Sequence, residues 1–336
     1  MALTPISITS IPGFRFGHWT DTEAATGCTA IVAPDGAVGG VDVRGGAPAS
    51  RETDLLHPEN TVDAVHAVVL AGGSAYGLEA ASGAMHELEA RGIGLDVGVG
   101  RVPIVCSSCL FDLAFGSATV RPDASAGAHA VRAALDGDAA APLTEGSVGA
   151  GTGATVGKLA GPARAMKGGL GARAFALGPL QVGAVAAVNA VGNVIDPATA
   201  APVAGMRAAE DSCEILDMEA AMLAMASQLT MPLDRTNTTI SCIVTNARLT
   251  KAQATKVAQM AADAYAHTIR PTHTTNDGDT VYVLASGVLA AEASAQLPLD
   301  LIGLVATRTL EAAILAGCTE ADSLHGLPAY RDLAGA

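Results

Sequence analysis

The stretch that decides the fold of this chain is Asn237-Thr-Thr-Ile-Ser-Cys-Ile-Val-Thr-Asn246. β-Branched and apolar residues dominate it and turn-forming residues precede it, so the pattern predicts a buried strand that begins at Thr238. A threonine hydroxyl inside an intact chain has no strong base tied to it. If the bond between Asn237 and Thr238 is cut, the α-amine of Thr238 becomes that base, and this pair is a recognised nucleophile and base. From this stretch alone, a self-cleavage site and an ordinary strand start both remain open.

The composition restricts the class of protein. The chain has 336 residues, of which 50% are hydrophobic and only 3% aromatic. This allows one large domain or two ordinary ones, built from closely packed layers of strands and helices. The formal net charge is −14. Because nucleic acids and anionic membranes are bound through clustered Lys and Arg, we expect the protein to bind neither.

The N-terminus and the apolar segments predict a cytoplasmic protein. The N-terminus lacks the basic region and long apolar run of a signal peptide. The segment 299–317 comes closest to a membrane span, but Arg308 and Glu311 interrupt it. In the cytoplasm the six cysteines are expected to be reduced. Cys106 and Cys109 have C-x-x-C spacing, but without further ligands nearby we expect buried thiols and no metal site.

Sequence periodicity predicts strands, Gly-rich turns and helices in layered α/β packing, because strict βαβ alternation is missing. The predicted strands and extended segments are 29–33, 67–71, 92–100, 102–105, 182–188, a strand from Thr238, and 280–285. The predicted helices are 75–91, 124–135, 206–227, 250–267 with Thr250 as N-cap, and 300–316. A polar linker is expected at 228–235.

Two glycine-rich segments are similar to catalytic motifs but do not match them. The segment 151–158 lacks the glycine spacing of a phosphate-binding loop, and Leu159 stands where that motif has Ser or Thr. The segment 72–77 has Tyr76 where a nucleophile elbow has its second Gly. We therefore interpret 72–77 as a tight strand-to-helix turn.

Two carboxylates flank a glycine in Asp277-Gly278-Asp279, directly before a predicted strand. Carboxylates this close raise one another's pKa unless a cation or hydroxyl donors compensate. The segment fits an ordinary turn, or a loop that presents two acceptors to the hydroxyl and ammonium groups of a nucleophile. The nearby His273 is interpreted as a hydrogen-bonded structural residue.

Lys158 and Asn189 are the remaining polar candidates. If Lys158 is buried among its small neighbours, it needs a carboxylate partner, and its charge can lower the pKa of a nearby amine. On the surface it would only extend into solvent. Asn189 ends the apolar run 182–188, where its amide can donate to an oxyanion or simply cap a strand.

In their order along the chain, these segments resemble a self-processing family of N-terminal-nucleophile hydrolases. The family includes L-aminopeptidase/D-esterases, β-peptidyl aminopeptidases and nylon-oligomer hydrolases. The segments that carry the resemblance are Ile11-Pro-Gly13, 41–46, 70–79, 149–158, 237–241 and 277–280. The Asn-Thr-Thr-Ile-Ser and Asp-Gly-Asp segments are most similar to the nylon-oligomer hydrolase branch, which uses Thr where other members use Ser.

The resemblance implies a four-layer αββα sandwich, made as a precursor that cleaves itself between Asn237 and Thr238. The products would be an α chain, residues 1–237, and a β chain, residues 238–336. They would stay together as one structural domain, commonly in a homotetramer of αβ units. No cofactor and no metal is implied.

The resemblance also implies roles for individual residues. Carried over by motif position, Thr238 is the nucleophile, Asp277 and Asp279 orient and polarise it, Lys158 supports the charge network, and Asn189 stabilises the oxyanion. The implied substrate is a small amide, a peptide or an oligoamide. Nylon oligomers of 6-aminohexanoate, β-peptides and amino-acid amides all remain open.

Phe111 departs from the family pattern, because the nylon-oligomer hydrolases have a catalytic-site Tyr at this position. Phenylalanine has no hydroxyl to donate, so we expect either another donor or a different substrate at this substrate-binding position.

Two alternative functions also remain open. One is an acyltransferase of the ornithine-acetyltransferase type, which also cleaves itself before Thr. The other is an uncleaved, non-catalytic binding protein of the same fold.

Overall fold

The computed structural model describes residues 2–227 and 237–333 as a mixed arrangement of strands and helices. The strands are β1 Thr4–Pro5, β2 Arg15–Asp21, β3 Thr26–Val43, β4 Ala49–Arg51, β5 Val65–Ala71, β6 Leu95–Asp96, β7 Arg101–Val102, β8 Val105–Cys109, β9 Thr155–Val156, β10 Met166–Lys167, β11 Leu170–Leu177, β12 Leu180–Asn189, β13 Asn193–Ile195, β14 Pro202–Ala204, β15 Thr238–Thr245, β16 Ile269–Arg270 and β17 Thr280–Ala285. The helices are α1 Glu79–Ala90, α2 Ala124–Asp136, α3 Met218–Ser227, α4 Lys251–Ala261, α5 Asp263–Thr268, α6 Ala291–Ala295, α7 Leu299–Thr319 and α8 Tyr330–Leu333.

Strand β3 is long enough to belong to two sheets. Its first half pairs with β2 and β5, and its second half, from Val38 to Val43, pairs with β17. An irregularity between Val32 and Ala37 separates the two halves, and such bulges bend a strand. The first sheet therefore runs β1-β11-β12-β15-β17-β3, and the second runs β3-β5-β8-β4 with β2 also paired to β3.

The apolar cores show how the layers stack. Residues of both sheets, such as Leu70 of β5 and Cys242 of β15, share the core between the sheets. The opposite face of the first sheet contributes Ile243 to a core with α4 and α7. The opposite face of the second sheet contributes Val69 to a core with α1 and α2. The order helix, sheet, sheet, helix confirms the predicted αββα sandwich.

Strand β15 is a central strand of the first sheet, and both of its faces are buried. It pairs antiparallel with β12 and parallel with β17. Ile240 faces the core between the sheets, whereas Ile243 faces the helices, as the alternation of side chains along a strand requires. A strand covered on both faces needs apolar residues on both, which explains why 238–246 is so rich in them.

Several element boundaries differ from the prediction. The helix predicted at 75–91 begins only at Glu79, after a 3-10 helix at Ser74–Leu78. The helix predicted at 206–227 was wrong over its first half, because only Met218–Ser227 is helical. The buried guanidinium of Arg207 donates to the carbonyls of Ala163 and Ala165 and holds that half as a loop.

The segment after β15 matches the prediction more closely. Thr250 is the N-cap of α4, as predicted, and the structure adds a capping box with Gln253. The single helix predicted at 250–267 is divided into α4 and α5 at Ala262. The linker predicted at 228–235 lies outside the described residues.

Cys106 and Cys109 lie on opposite faces of β8, since one belongs to the core between the sheets and the other to the core beneath α1 and α2. Their thiols are buried, and burial raises the pKa of Cys106 to about 12 and that of Cys109 still further. The C-x-x-C spacing therefore cannot direct both sulfurs at one metal ion. No cluster of three or more metal-ligating side chains is found within residues 2–227 and 237–333.

Helix α7 is long and apolar enough to cross a membrane by length and composition alone. However, 72% of its most apolar stretch is buried inside the fold. Residues such as Ile302 and Leu310 belong to the core against the first sheet. Packing against that sheet accounts for the apolar character of α7.

Helices α1 and α2 pack so closely that glycine is required where they touch. A Cβ on Gly127 would lie 1.8 Å from the carbonyl oxygen of Ala80, and a Cβ on Gly83 would lie 1.7 Å from that of Ala124. We expect Gly127→Ala to lower the free energy of unfolding by about 1–3 kcal/mol, because the helices must separate. Denaturant unfolding measures this change.

The matched control for this prediction is Ser125→Ala, an exposed substitution in the same helix, which we expect to change stability by no more than about 0.5 kcal/mol. In a helix interior, alanine is intrinsically favoured over glycine by roughly 1 kcal/mol, and this gain opposes the steric cost of Gly127→Ala. A Gly127→Ala variant more stable than the wild type would therefore show that helix propensity, not the close approach, dominates here.

Candidate active site

Thr238 lies directly opposite Asn189, because the last residue of β12 pairs with the first residue of β15. Ala187 and Ile240, the next pair on the same face, belong to the core between the sheets. Thr238 and Asn189 therefore direct their side chains to this same face, at the edge of the core. Both residues are buried.

The hydroxyl of Thr238 contacts the peptide bond that precedes it. Thr238 Oγ1 donates a hydrogen bond to the carbonyl oxygen of Asn237 and accepts one from the backbone N–H of Gly278 at 3.1 Å. The predicted nucleophile and the predicted scissile carbonyl are thus in direct contact. A fixed N–H donor on the hydroxyl oxygen would stabilise negative charge that develops there.

Gly278 must be a glycine because the side chain of Thr238 approaches it so closely. A Cβ at this position would lie 2.8 Å from Oγ1 and 3.1 Å from Cγ2 of Thr238. From the sequence, Asp277-Gly278-Asp279 was either an ordinary turn or a loop that presents two carboxylate acceptors. The structure adds a backbone donor that the sequence analysis missed, and its only signal was the position of Gly278 between the two carboxylates.

The segment that follows β3 holds the Asp277–Asp279 loop in place. The backbone N–H groups of Arg44 and Ala47 donate to the carbonyls of Asp279 and Asp277, at 3.0 and 2.8 Å. A Cβ on Gly45 would lie 2.3 Å from the carbonyl oxygen of Asp277. The 41–46 segment, which had no role in the sequence analysis beyond the resemblance, therefore supports the candidate site.

Asp279 joins the start of β15 to the loop that precedes β17. Its Oδ1 accepts the backbone N–H of Thr239 at 2.8 Å. Its Oδ2 accepts from the hydroxyl of Thr272 at 3.1 Å, and from both the backbone N–H and the Nδ1 of His273, at 3.0 and 2.9 Å. These donors satisfy both oxygens of a carboxylate that is buried.

The surroundings of Asp277 disfavour the ionised form of its carboxyl group. Burial, followed by the negative charge of Asp279, raises the pKa of Asp277 from 3.8 to about 6. Hydrogen bonds from Thr274, whose backbone N–H lies 2.7 Å from Oδ2, and the positive charge of Lys158 oppose this rise. Asp277 thus titrates close to neutral pH, where a new cation beside it would favour its ionised form.

Lys158 and Thr155 determine how the amide of Asn189 is oriented. Lys158 is buried, and its Nζ donates to Oδ1 and to the carbonyl oxygen of Asn189, at 2.8 and 3.1 Å. The backbone N–H of Thr155 donates to the same Oδ1 at 3.0 Å. With these donors on Oδ1, the Nδ2 end of the amide faces the carbonyl of Phe111, at 2.9 Å. The hydroxyl of Thr155 adds a longer hydrogen bond to Oδ1, at 3.4 Å. Thr155 was missed because its shorter bond comes from a backbone group.

Lys167 holds the glycine-rich segment that carries these groups. Its ammonium is fully buried and donates to the carbonyls of Ala154 and Gly168, at 2.7 and 3.0 Å. Lys167 also pairs with Thr155 across β9 and β10. Burial lowers the pKa of Lys167 to about 7. The sequence analysis did not select this lysine, because nothing in its local pattern distinguishes it from a surface residue.

Phe111 lines a cavity beside the candidate site. Its other walls are Asp112, Ala114, Phe115, Thr155, Lys158, Pro162, Ala165 and Leu327. The cavity is mostly apolar, and its polar wall contains the two residues that bind Asn189. The backbone carbonyl of Phe111 is the acceptor for Asn189, so Phe111 contributes to the site through its main chain as well as its ring.

Asp112 explains the tight turn predicted at 72–77. Its carboxylate is buried and accepts the backbone N–H of Gly73 and the hydroxyl of Thr26, both at 2.7 Å. A Cβ on Gly72 would lie 2.0 Å from Asp112 Oδ2. The turn is therefore glycine-rich because it encloses a carboxylate next to Phe111.

The sequence of this chain is similar to those of known peptidases and amide hydrolases. The sequence model of peptidase family S58 matches residues 7–330. An uncharacterised aminopeptidase of Mycobacterium leprae is 42% identical, over 98% of this chain and 94% of the relative. The 6-aminohexanoate-oligomer endohydrolase of Paenarthrobacter ureafaciens is 32% identical, over 82% of this chain and 73% of that protein.

A solved structure shares the fold at low sequence identity. The L-aminopeptidase D-Ala-esterase/amidase from Ochrobactrum anthropi, described as a variant of the Ntn-hydrolase fold, matches with a TM-score of 0.64. The identity is 18%, and the match covers 96% of this chain and 88% of the other. This likeness identifies the sandwich as that fold.

The raised pKa of Asp277 has a consequence for stability. The folded chain binds this proton more tightly than the unfolded chain does, so the contribution of Asp277 to stability is lost as pH rises from about 4 to about 6. A Thr238→Ala background is chosen to keep one intact chain. In this background we expect Asp277→Asn to reduce the pH-dependent loss of unfolding free energy by up to roughly 3 kcal/mol. Unfolding curves across that range measure it.

The control for this pH effect is Glu59→Gln in the same background, because Glu59 is exposed. We expect its unfolding curves to follow the pH dependence of the parent. Parallel pH curves for the Asp277→Asn variant and its parent would mean that Asp277 keeps an ordinary pKa.

Proposed function

The chain belongs to peptidase family S58 and is a hydrolase of amide or peptide bonds. We propose that it acts through an N-terminal threonine. In this proposal the precursor cleaves itself between Asn237 and Thr238. Thr238 then hydrolyses small amides, peptides or oligoamides through an acyl ester on its own hydroxyl. The observation that carries the proposal is the contact of Thr238 Oγ1 with the carbonyl of Asn237.

Self-cleavage begins when Thr238 Oγ1 attacks the carbonyl carbon of Asn237. The bond from that carbon to the nitrogen of Thr238 breaks, and this nitrogen receives the hydroxyl proton. The resulting ester links Asn237 to Thr238 Oγ1. Water hydrolyses the ester and leaves a carboxylate on Asn237, together with a free amine and a free hydroxyl on Thr238. The Gly278 N–H, 3.1 Å from Oγ1, supports this proposal because it stabilises charge on the attacking oxygen.

Turnover repeats this chemistry on a substrate. The free α-amine of Thr238 has an ordinary pKa of about 7.7–8.0, which suits a general base near neutral pH. It accepts the Oγ1 proton as Oγ1 attacks the substrate amide, and it returns a proton to the amine that leaves. Water then releases the acyl group as a carboxylic acid. No step requires a cofactor.

The surrounding groups have distinct roles in the proposal. Asp277 and Asp279 provide the negative charge that accommodates a protonated amine at Thr238. Lys158 and Thr155 fix the amide of Asn189, which donates to the oxyanion on the face that it shares with Thr238. An oxyanion donor of this kind contributes on the order of 3 kcal/mol to transition-state stabilisation.

The sheet topology supports a stable pair of chains after cleavage. β15 and β17 follow the proposed cleavage site, whereas β12 and β3 precede it. In the sheet the order is β12-β15-β17-β3, so each edge of the later pair is hydrogen-bonded to an earlier strand. We therefore propose that residues 1–237 and 238–336 remain one structural domain. A homotetramer of αβ units and a cytoplasmic location stay predictions.

We expect wild-type protein to separate into two bands on a denaturing gel and Thr238→Ala to remain one inactive band. Thr238→Ser is the matched control, because it keeps the hydroxyl and should still be processed. Intact mass measurement locates the cut. An active wild type that consists of one intact chain would exclude this mechanism and favour an uncleaved protein. Acyl transfer to an added amine such as ornithine would favour the acyltransferase alternative.

Phe111 should influence substrate choice more than self-cleavage. Phe111→Ala removes the ring from the cavity but keeps the carbonyl that binds Asn189. We expect normal processing and a kcat/KM reduced by roughly tenfold or more for substrates with an apolar acyl group, as loss of aromatic contact area implies. The assay compares L-leucine and glycine p-nitroanilides, β-alanine p-nitroanilide and the linear dimer of 6-aminohexanoate.

Val99→Ala is the control for the Phe111 variant, since Val99 is a large apolar residue that is 98% exposed. It should match the wild type on every substrate. If Phe111→Ala also matches the wild type throughout, the cavity that Phe111 lines is not where the acyl group binds.

A further inference from the structure

The imidazole of His273 is aimed at Asp279. His273 Nδ1 lies 2.9 Å from Asp279 Oδ2, and the backbone N–H of the same residue lies 3.0 Å from the same oxygen. An ionised carboxylate only accepts hydrogen bonds, so Nδ1 carries the proton of this contact. Within the described residues, His273 Nε2 is buried and has no hydrogen-bond partner. The polar contact of the ring is therefore directed entirely at Asp279.

The backbone of His273 is in an unfavourable conformation that brings the ring to this position. Its φ is +55°, in the left-handed region that residues with a Cβ rarely adopt. Glycine or asparagine adopts this region at lower cost. A histidine is kept there only where the surrounding structure stabilises it, and such positions are concentrated at functional sites.

Packing fixes the ring on its other side. The ring of His273 contacts that of Tyr265 at a centroid distance of 5.6 Å, with an angle of 34° between the ring planes. Tyr265 is itself immobilised, because it is fully buried and its hydroxyl bonds Ser241 and the carbonyl of Thr239. The imidazole is thus held between a rigid aromatic ring and a carboxylate.

We propose that His273 is a positioning residue of the active site, which sets the orientation of Asp279 for the Thr238 nucleophile. The terminal torsion of a carboxylate is broad and does not hold its oxygens in place by itself. His273 anchors Oδ2 together with the hydroxyl of Thr272, so Oδ1 is directed at the backbone N–H of Thr239. That bond fixes the residue next to the nucleophile. This proposal rests on the proposed function.

The test replaces the ring without disturbing the backbone. His273→Gly keeps the left-handed conformation and the backbone N–H to Asp279, and removes only the imidazole. His273→Asn also tolerates this conformation and restores a side-chain donor. The measurements are the rate at which fresh precursor becomes two chains, and kcat and KM on L-alanine p-nitroanilide. If wild type does not hydrolyse that compound, the substrate it cleaves best among those named above replaces it.

We expect His273→Gly to slow precursor processing and to lower kcat by roughly tenfold to a hundredfold, the effect of losing one hydrogen bond to a charged group. KM should change little, because the ring does not line the cavity. His273→Asn should recover most of the lost kcat. His267→Asn is the matched control, since that ring is half-exposed and bonds Glu311 instead.

A folded His273→Gly variant with wild-type processing and kcat would overturn the proposal. So would a His273→Asn variant that is as impaired as His273→Gly, because the restored donor would then not matter. If His273→Gly does not fold, His273→Asn and His273→Leu decide, since they match in size and carry no charge but only the amide donates. Failure of the proposed function looks different, because the wild type itself would then remain one chain.

Discussion

The pairing of β12 with β15 is the interaction on which the candidate site depends. It places the last residue of one strand, Asn189, opposite the first residue of the other, Thr238, and directs both side chains to the same face. A shift of one residue in this register would turn Thr238 towards the helices. The apolar residues that precede Asn189 on β12 and follow Thr238 on β15 prevent such a shift, because each face of the sheet packs on its own core. The geometry of a polar site is therefore determined by the burial of hydrophobic side chains several residues away.

The site concentrates charge where water is largely excluded. Asp277, Asp279 and Lys158 are all buried, and isolated buried charges are costly. The structure compensates them unequally. Asp279 is fully hydrogen-bonded by its neighbours, whereas Asp277 keeps a raised pKa because burial and the charge of Asp279 outweigh its donors. Such an imbalance is typical of functional sites, and it would be relieved by a cation formed at the amine of Thr238.

Close backbone approaches account for the glycines in the segments that carry the family resemblance. Gly45 lies against the carbonyl of Asp277, Gly72 against the carboxylate of Asp112, and Gly278 against the hydroxyl of Thr238. In each case the glycine makes room for a polar atom within the site or beside it. The resemblance is thus more than a series of turns, because glycines far apart in the chain support one arrangement of polar groups.

The sequence by itself determined the fold class, the family and the residues from which the candidate site is assembled. The apolar run 182–188 and the β-branched and apolar residues of 238–246 were enough to predict buried strands, and the ordered motifs were enough to select Thr238, Asn189, Lys158, Asp277 and Asp279. It failed for 206–217, where a buried Arg207 binds carbonyls from a distant segment, because such a contact leaves no local pattern. Only the tertiary structure decided which donors hold the site: the backbone N–H groups of Thr155 and Gly278, the ammonium of Lys167 and the imidazole of His273. The physical reason is that a backbone N–H is the same in every residue, and the local sequence does not distinguish a buried lysine or histidine from an exposed one. The effect of each donor therefore depends on where folding brings it.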